Sequence, residues 1–473
     1  MPYKLMSAPN GLESEVSFHN RHNTMRISGE KTQAGIPLDF LGKNVSISNP
    51  EHHCLIVGAT GMGKTRRLIF PSIILNARAG KSLFVIDPKG EAYRNCASEL
   101  SKTGHDVLVV NLRNPELGNR YNVLTLVEDY WTRGFHDKAI SMLRDISQVL
   151  FAGLADDRDK YWSLTASNGF VGVALLLLEH GKKLTFERVH SVFNEYVSEK
   201  ALFDEKYRLD PFADSKRYLS SIESLSSDVT LSCIISTFDA AIAVLVGQPN
   251  IRDMMVDSDF NPTDLGRKKS ALFVVCPDES NSSYMCASLL IEQLYTELIF
   301  LADSEEMNRL PVPVTFVLDE FGNLSGNSWA NKLSAGRSRE IHFILALQTL
   351  SQLKEQCGNN GAEVVMSNCR TWVFLGGKDM QMMNVLTSVA GVIDGKTVLP
   401  ISDLNRLETG IILVFDGSQP YIGRLPDWDD WGIKEKATLA NKVREPKRLE
   451  PISIKELLER KPEDQSQNMQ RTF

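Results

Sequence analysis

A glycine-rich segment between an apolar run and an apolar helix is the first feature of the sequence that predicts chemistry. It reads GATGMGKT and matches the pattern G-x-x-x-x-G-K-[ST]. Glycines let backbone N–H groups approach phosphate oxygens, and the start of the helix adds the positive end of its dipole. We therefore predict an ATP site, with an ordinary glycine-rich turn as the alternative. The predicted nucleotide-binding residues are Gly58, Ala59, Thr60, Gly61, Met62, Gly63, Lys64 and Thr65.

Within this loop, two side chains have predicted roles of their own. Lys64 is expected to reach the β- and γ-phosphates, and Thr65 to ligate Mg²⁺. A second motif, two adjacent carboxylates after the apolar run Val314–Leu318, provides partners for both. Asp319 is predicted to complete the Mg²⁺ shell, and Glu320 to orient or deprotonate the attacking water. Acidic pairs at strand ends are also common as solvated caps, but the upstream phosphate loop favours ATP hydrolysis here.

Three further polar residues are candidates for contacts with the γ-phosphate. Gln348 follows the next apolar run, Phe343–Leu347, so it is expected at a strand tip. Arg337 and Arg339 belong to a GRSR string at the end of a predicted helix. A cation in such a place can stabilise charge in a neighbouring subunit's site, as arginine fingers do, which requires an oligomer. The alternatives are a surface glutamine and a solvated basic helix end, which the helix dipole favours.

The turn Asp87–Glu91, with the sequence DPKGE, follows the apolar run Ser82–Ile86. It is expected at the carboxyl edge of a parallel sheet, where ligands bind. Pro88 and Gly90 predict a turn whatever its role. A ligand contact and a purely structural turn both stay open.

The elements that must position these residues are short aliphatic runs without clean polar alternation. Runs of this kind are typical of strands that are buried on both faces of a mostly parallel sheet, which predicts an α/β fold. The runs are Cys54–Val57, Ser82–Ile86, Asp106–Val110, Ala271–Cys276, Val314–Leu318, Phe343–Leu347, Thr371–Leu375 and Ile411–Phe415.

A region without strand-like runs separates the two nucleotide motifs. Its helical periodicity predicts an inserted all-α domain over 128–230, with helices over Ala139–Phe151, Ser163–Glu179 and Phe186–Phe203. The nucleotide-binding domain is then split over 49–127 and 231–430.

The remaining segments lie at the ends of the chain. Residues 1–48 form an N-terminal segment without a predicted transmembrane helix. Residues 431–473 form a charged tail, expected to contain a helix or to be partly disordered.

Composition limits the functional classes. The formal net charge of −7 argues against a passive coat on DNA, because the overall field repels phosphate. Seven scattered Cys without metal-ligand spacing predict a reduced cytosolic chain with no structural zinc. The apolar stretches Val171–Leu178 and Ile234–Val246 are respectively too short for a bilayer and interrupted by Asp239, and no signal peptide precedes them. A membrane partner is therefore expected to be reached by docking.

Several strings resemble the coupling-protein ATPases of type IV secretion, the TraG/TrwB-like family, which are relatives of the FtsK and HerA translocases. The resemblance covers most of residues 50–425, and Ala271–Asn281 and Asn368–Asp379 add less specific matches. The strings are GATGMGKT with Phe70-Pro71 behind it, Asp87–Glu91, Leu318-Asp319-Glu320-Phe321, Gly336-Arg337-Ser338-Arg339, and Gln348 followed by Ser351-Gln352-Leu353.

The resemblance implies a RecA-like nucleotide domain, an all-helical domain and a homo-hexamer with sites between subunits, with a monomer in the absence of substrate as the alternative. It also implies ATP and Mg²⁺ as cofactors, and a relaxase–DNA complex or an effector protein as cargo. Most members begin with transmembrane helices, whereas none is predicted in this sequence, so either the chain works with a separate membrane partner or its anchor has been removed. The chain is therefore expected in the cytoplasm at the inner face of the membrane, with secretion-channel components or a separate membrane anchor as partners. Two alternatives stay open: a related translocase or channel-assembly ATPase, and a recruitment adaptor in which ATP is structural.

Overall fold

The computed structural model describes residues 11–27, 33–151, 160–198, 213–324, 329–417, 419–438 and 443–458. The chain divides into two compact units. The nucleotide unit comprises Met1–Gly118 and Asn261–Lys442, and the helical unit comprises Asn119–Phe260 and Val443–Phe473.

The strands of the described residues all belong to the nucleotide unit. In chain order they are β1 (Asn23–Arg26), β2 (Pro37–Leu41), β3 (Asn44–Ile47), β4 (His53–Val57), β5 (Ser82–Asp87), β6 (Asp106–Asn111), β7 (Ser270–Val275), β8 (Val314–Leu318), β9 (Ile341–Leu347), β10 (Cys369–Phe374), β11 (Val392–Ile393), β12 (Lys396–Thr397), β13 (Ile411–Phe415) and β14 (Tyr421–Arg424).

The α-helices occur in both units. In chain order they are α1 (Glu15–Arg21), α2 (Phe70–Arg78), α3 (Glu91–Lys102), α4 (Leu124–Thr132), α5 (His136–Phe151), α6 (Lys160–Glu179), α7 (Phe186–Ser198), α8 (Asp214–Glu223), α9 (Asp228–Gly247), α10 (Pro249–Met254), α11 (Asp264–Arg267), α12 (Asn281–Ser304), α13 (Trp329–Gly336), α14 (Leu350–Asn368), α15 (Met380–Ala390), α16 (Ile401–Leu404) and α17 (Ile454–Leu458).

The core of the nucleotide unit is a sheet with the strand order β14-β13-β10-β4-β9-β8-β5-β7-β6 in the described part of the chain. Neighbours from β10 to β6 are parallel, and β13 and β14 add an antiparallel edge. Strands β4, β5, β7, β8 and β9 are buried along their whole length, as expected for parallel strands covered on both faces. The predicted α/β fold with a mostly parallel sheet is confirmed.

Each of the eight predicted runs coincides with a strand of this sheet. The sequence analysis missed β14, the three-stranded sheet β1-β3-β2 and the two-residue strands β11 and β12. β14 and the strands of the three-stranded sheet have only four or five residues, and each contains at least one polar residue, so they lack the uninterrupted apolar runs on which the prediction depended.

The helical unit is built around α6, which is buried over most of its length. Two glycines of α6 allow neighbouring helices to approach closely. A Cβ atom on Gly172 would lie 2.7 Å from Leu219 Cγ of α8, and one on Gly169 would lie 2.4 Å from Phe193 Cε2 of α7. Phe193 in turn stacks on Phe238 of α9, with ring centroids 3.7 Å apart. The glycines therefore set the distance between these helices.

We predict that Gly169→Ala destabilises the helical unit. Phe193 is held by its stacking partner, so the added methyl group overpacks the core at a cost of about 1–3 kcal/mol, which exceeds the gain of up to ~1 kcal/mol in helix propensity. Thermal unfolding followed by circular dichroism should show a lower transition midpoint. Gly247→Ala is a matched control, since no atom lies within 4 Å of the added Cβ. Equal midpoints for the two variants would contradict the packing argument.

The helical unit extends beyond the predicted insertion of 128–230 on both sides. Helices α4 and α9 cross the predicted ends, and the apolar residues of α9 pack inside this unit, at Ile234, Phe238 and Ile242. Part of the predicted tail belongs here too, because Ile454 and Leu457 are buried and the backbone N–H of Ile454 donates to Glu195 Oε2 at 2.8 Å. Residues 459–473 of that tail lie outside the described residues.

In the described residues, three helices are long and apolar enough to cross a bilayer by length and composition. In Lys160–Glu179 and Ser283–Ser304, 72% of the apolar window is buried inside the protein. In Asp228–Gly247, whose mean hydropathy is 2.1, the buried share is 28%. The sequence analysis considered two apolar runs within these helices, Val171–Leu178 as too short and Ile234–Val246 as interrupted by Asp239, whereas the two full helices are each 20 residues long.

Candidate nucleotide-binding site

The predicted phosphate loop connects β4 to α2. Gly61 and Gly63 have φ angles of 83° and 91°, in the left-handed region that glycine adopts most readily. After Gly63 the chain winds as a π-helix over Lys64–Ile69, in which the Phe70 N–H bonds the carbonyl of Thr65. Single π-helical turns are frequent at functional sites.

Neighbouring strands hold the base of the loop. The N–H of Gly58 donates to the Leu347 carbonyl and that of Ala59 to the Gly376 carbonyl, both at 3.1 Å. These two amides are therefore occupied in this structure, and they anchor the loop to the tips of β9 and β10. Gly58 and Met62 do not line the cavity described next, whereas the other residues of the loop do.

A cavity of about 370 Å³ lies over the carboxyl ends of β4, β9, β8 and β5. It brings together five side chains that the sequence analysis selected from three separate segments. They are Lys64, Thr65, Asp319, Glu320 and Gln348.

Thr65 and Asp319 form the part of this cavity that fits a divalent cation. The Thr65 hydroxyl donates to Asp319 Oδ2 at 3.0 Å. A hydroxyl and a carboxylate are the hard oxygen donors that Mg²⁺ prefers, and Mg²⁺ in phosphate sites usually takes few protein ligands. The two residues therefore suit a Mg²⁺ ion that is also bound to phosphate and water.

Burial perturbs both charges at the centre of the cavity. The Lys64 ammonium is buried and donates to the Gly58 carbonyl at 2.6 Å. Burial lowers the pKa of Lys64, and the carboxylates of Glu320 and Asp319 oppose this shift. Burial, followed by repulsion from Glu320, raises the pKa of Asp319 to about 6, against the influence of Lys64 and the Thr65 hydroxyl. A cation bound beside Asp319 would therefore favour its ionised form.

Gln348 connects the phosphate loop to the second carboxylate. Its Nε2 donates to Glu320 Oε2 at 2.8 Å, and its Oε1 accepts from the Thr60 hydroxyl at 3.1 Å. Glu320 itself has a φ of 53°, a left-handed conformation that is uncommon outside glycine. The amide thus fixes the orientation of a carboxylate that sits on an unusual backbone.

Gln352 supports this chain and was not selected from the sequence. Its Oε1 accepts the N–H groups of Gln348 at 3.0 Å and Thr349 at 3.3 Å, which completes a capping box at the start of α14. A Cβ on Gly322 would lie 2.7 Å from Gln352 Cβ, so this packing needs a glycine. The spacing T-x-x-Q before a helix is the sequence signal that identifies such a residue.

Arg337 and Arg339 are not brought to this cavity. They precede β9, whose first residue, Ile341, pairs with Val314 at the amino end of β8. The phosphate loop follows the other end of the strands, roughly 20 Å away for strands of this length. Arg339 is paired with Asp303, with Nε and Oδ1 2.7 Å apart. Arg337 is exposed and forms no ion pair among the described residues.

The turn Asp87–Glu91 does reach the cavity. Asp87, Pro88, Lys89 and Glu91 all line it. The turn follows β5, which is hydrogen-bonded to β8. The motif whose role the sequence left open is therefore part of the same site.

Solved structures with a similar fold include bacterial coupling proteins. The bacterial conjugative coupling protein TrwBdeltaN70, in its unbound monoclinic form, has 17% sequence identity over 91% of this chain and 97% of that chain, with a TM-score of 0.62. Plasmid coupling protein TrwB in complex with the ATP analogue ADPNP has 16% identity over 93% of this chain and 97% of that chain, with a TM-score of 0.60. TrwB in complex with ADP and Mg²⁺ has 16% identity over 89% of this chain and 96% of that chain, with a TM-score of 0.59. At these identities the similarity shows the fold.

No curated protein matches the chain by sequence. A protein-family comparison does: the family described as "Type IV secretory system Conjugative DNA transfer" matches residues 11–391. That span includes the phosphate loop, the acidic pair, the GRSR string and Gln348. The chain therefore belongs to the conjugative DNA transfer family of type IV secretory systems, the coupling-protein family that its motifs resemble.

Proposed function

We propose that this protein hydrolyses ATP to recruit substrate and deliver it to a type IV secretion channel. The observation that supports hydrolysis is the convergence of Lys64, the Thr65–Asp319 pair and Glu320 in one cavity. A site that only held ATP would need the lysine and the Mg²⁺ ligands. The fixed carboxylate of Glu320 is the additional group that hydrolysis requires.

In this proposal each residue has a distinct task. Lys64 leaves the Gly58 carbonyl and binds the β- and γ-phosphates. Thr65 and Asp319 would hold a Mg²⁺ ion, which would offset charge on the transferring phosphoryl group. Glu320 orients the attacking water and accepts its proton. Gln348 hydrogen-bonds both Thr60 of the loop and the Glu320 carboxylate, so a movement of the loop would shift that carboxylate.

The partners follow from the family and from the position of the GRSR string. We propose a homo-hexamer in which Arg337 of one subunit reaches the nucleotide of the next. Arg337 is exposed and lies near the amino ends of the strands, whereas its own phosphate loop lies at their carboxyl ends.

The proposed cargo is a relaxase–DNA complex or an effector protein. The helical unit is the proposed cargo-binding part. Its 128–230 segment contains no nucleotide motif, and its 17 acidic residues outnumber its 13 basic residues, which gives the segment a net negative charge. The proposed location is the cytoplasmic face of the membrane, beside the channel.

Lys64→Ala tests the site assignment. The substitution is expected to abolish phosphate release, because the positive charge at the β- and γ-phosphates is lost, while the far-ultraviolet circular dichroism stays unchanged. Phosphate release should be measured with and without DNA and candidate cargo protein. Turnover near wild type would remove the phosphate loop from the mechanism. A wild type that binds ATP but releases no phosphate under any of these conditions would support the adaptor alternative.

Mg²⁺-dependent nucleotide binding should weaken as pH falls through about 6. In the metal-free protein Asp319 has a pKa of about 6, and the protonated acid cannot ligate Mg²⁺, so protons and Mg²⁺ compete for it. Above that pH the carboxylate is ionised and the affinity should be constant. Titrations of a fluorescent ATP analogue between pH 5 and 8, with Mg²⁺ or with EDTA, would measure the effect. An equal pH dependence in Asp319→Asn would show that another group is responsible.

A further inference from the structure

We propose that Lys89 binds the terminal phosphate of ATP as a second cation beside Lys64, so that it distinguishes ATP from ADP. The inference rests on the proposed function and deepens it. It also gives the Asp87–Glu91 turn a role that the sequence did not assign.

The strand order of the sheet places Lys89 at the end of the site where the terminal phosphate is expected. The 3.0 Å contact between Thr65 and Asp319 puts the Mg²⁺ and phosphate end of the loop above the tip of β8. Strand β5 is the next strand, with Ile86 paired to Leu318, and adjacent strands lie about 4.8 Å apart. Lys89 follows β5 by two residues and lines the same cavity. It therefore lies on the far side of the Mg²⁺ ligands from β4, where the terminal phosphate is expected.

The backbone of this turn is fixed by hydrogen bonds. Asp87 is buried, and its carboxylate accepts the Tyr93 N–H at 2.8 Å, which ties the turn to the start of α3. Arg94 Nη2 donates to the Lys89 carbonyl at 3.0 Å. Gly90 completes the turn with a φ of 67°. The Lys89 side chain is exposed and extends from this fixed backbone on a flexible four-carbon stem.

The cations of the cavity differ in whether they already have a partner. Five carboxylates line it, against three cations. Of the cations, Lys64 is bonded to the Gly58 carbonyl, and Arg66 is paired with Asp427 and with Asp429. Lys89 is exposed and forms no ion pair among the described residues. It is thus the cation that a γ-phosphate could recruit without breaking an existing pair.

The experiment compares nucleotide affinities. Lys89→Met removes the charge and keeps the length of the side chain, and Lys89→Arg keeps the charge. Lys102→Met, at the other end of α3, is a matched control. Affinities for ADP and for a non-hydrolysable ATP analogue should be measured with Mg²⁺, together with phosphate release at saturating ATP.

Lys89→Met is expected to weaken the affinity for the ATP analogue about tenfold or more and to leave the ADP affinity unchanged, as expected for the loss of one charged hydrogen bond. Turnover at saturating ATP should change less than the affinity, because loss of a contact that is made equally to bound ATP and to the transition state does not alter it. Lys89→Arg should retain most of both properties, and Lys102→Met all of them. An unchanged ratio of the two affinities in Lys89→Met would overturn the inference. Retained affinity and turnover with a loss of stimulation by DNA or cargo would also overturn it, and would assign Lys89 to a cargo contact.

A parallel Lys64→Ala measurement separates this inference from the proposed function. If the wild type hydrolyses ATP and Lys64→Ala does not, a silent Lys89→Met removes the inference alone. If Lys64→Ala also binds and hydrolyses ATP normally, the proposed site itself is wrong.

Discussion

Replacing Glu320 by Gln is expected to lower ATP turnover about 10²- to 10⁴-fold while ATP and Mg²⁺ still bind, because the variant loses a general base. The geometry should survive the substitution. Gln348 Nε2 donates to Glu320 Oε2, and the oxygen of a glutamine amide can accept the same hydrogen bond. The amide cannot accept a proton from water, so only the chemical step should slow.

Phosphate release at saturating ATP measures the turnover, and a fluorescent ATP analogue measures the binding. Glu340→Gln is a matched control, because Glu340 also has a left-handed backbone, with a φ of 64°, but precedes β9 at the other edge of the sheet. Its turnover should stay close to wild type. A Glu320→Gln protein that lost ATP binding with its Mg²⁺ binding intact would make Glu320 a structural residue.

The main sheet was predictable because parallel strands that are covered on both faces need apolar side chains at nearly every position. Val314–Leu318 is such a strand, and its burial leaves little ambiguity in the sequence. The three-stranded sheet near the N-terminus was not predictable in the same way. Its middle strand, Asn44–Ile47, has only four residues and begins at an exposed position, so local composition does not distinguish it from a loop.

The sequence selected the phosphate loop, the acidic pair and Gln348 one segment at a time, but it did not indicate the network that joins them in the cavity. The phosphate loop and the acidic pair have spacing that identifies them within one segment. The link from Thr60 through Gln348 to Glu320 depends instead on β9 lying between β4 and β8, and strand order is a property of the whole fold. The same order brings Lys89 into the cavity and places Arg337 at the opposite edge. The sequence motifs therefore identified candidate residues, and the strand order determined which of these residues lie in the same cavity.

Arg337→Ala should lower turnover about 10³- to 10⁵-fold, the range typical of arginine fingers, if the proposed trans contact forms. The structure distinguishes Arg337 from Arg339, which the sequence could not do. Arg339 is paired with Asp303 and also donates to the Ala335 carbonyl at 3.1 Å, so it has a local structural role. Arg339→Ala should therefore cost less than tenfold in turnover and serves as the matched control.

Mixed oligomers test the trans arrangement directly. A chain with Arg337→Ala keeps an intact phosphate loop, and a chain with Lys64→Ala keeps an intact Arg337. Each is expected to be inactive alone, because every interface lacks one of the two groups. In a mixture, some interfaces pair the intact loop of one subunit with the intact Arg337 of its neighbour, so phosphate release should partly recover. Mixed rings verified by differential tagging that stayed inactive would show that Arg337 does not act on the neighbouring nucleotide.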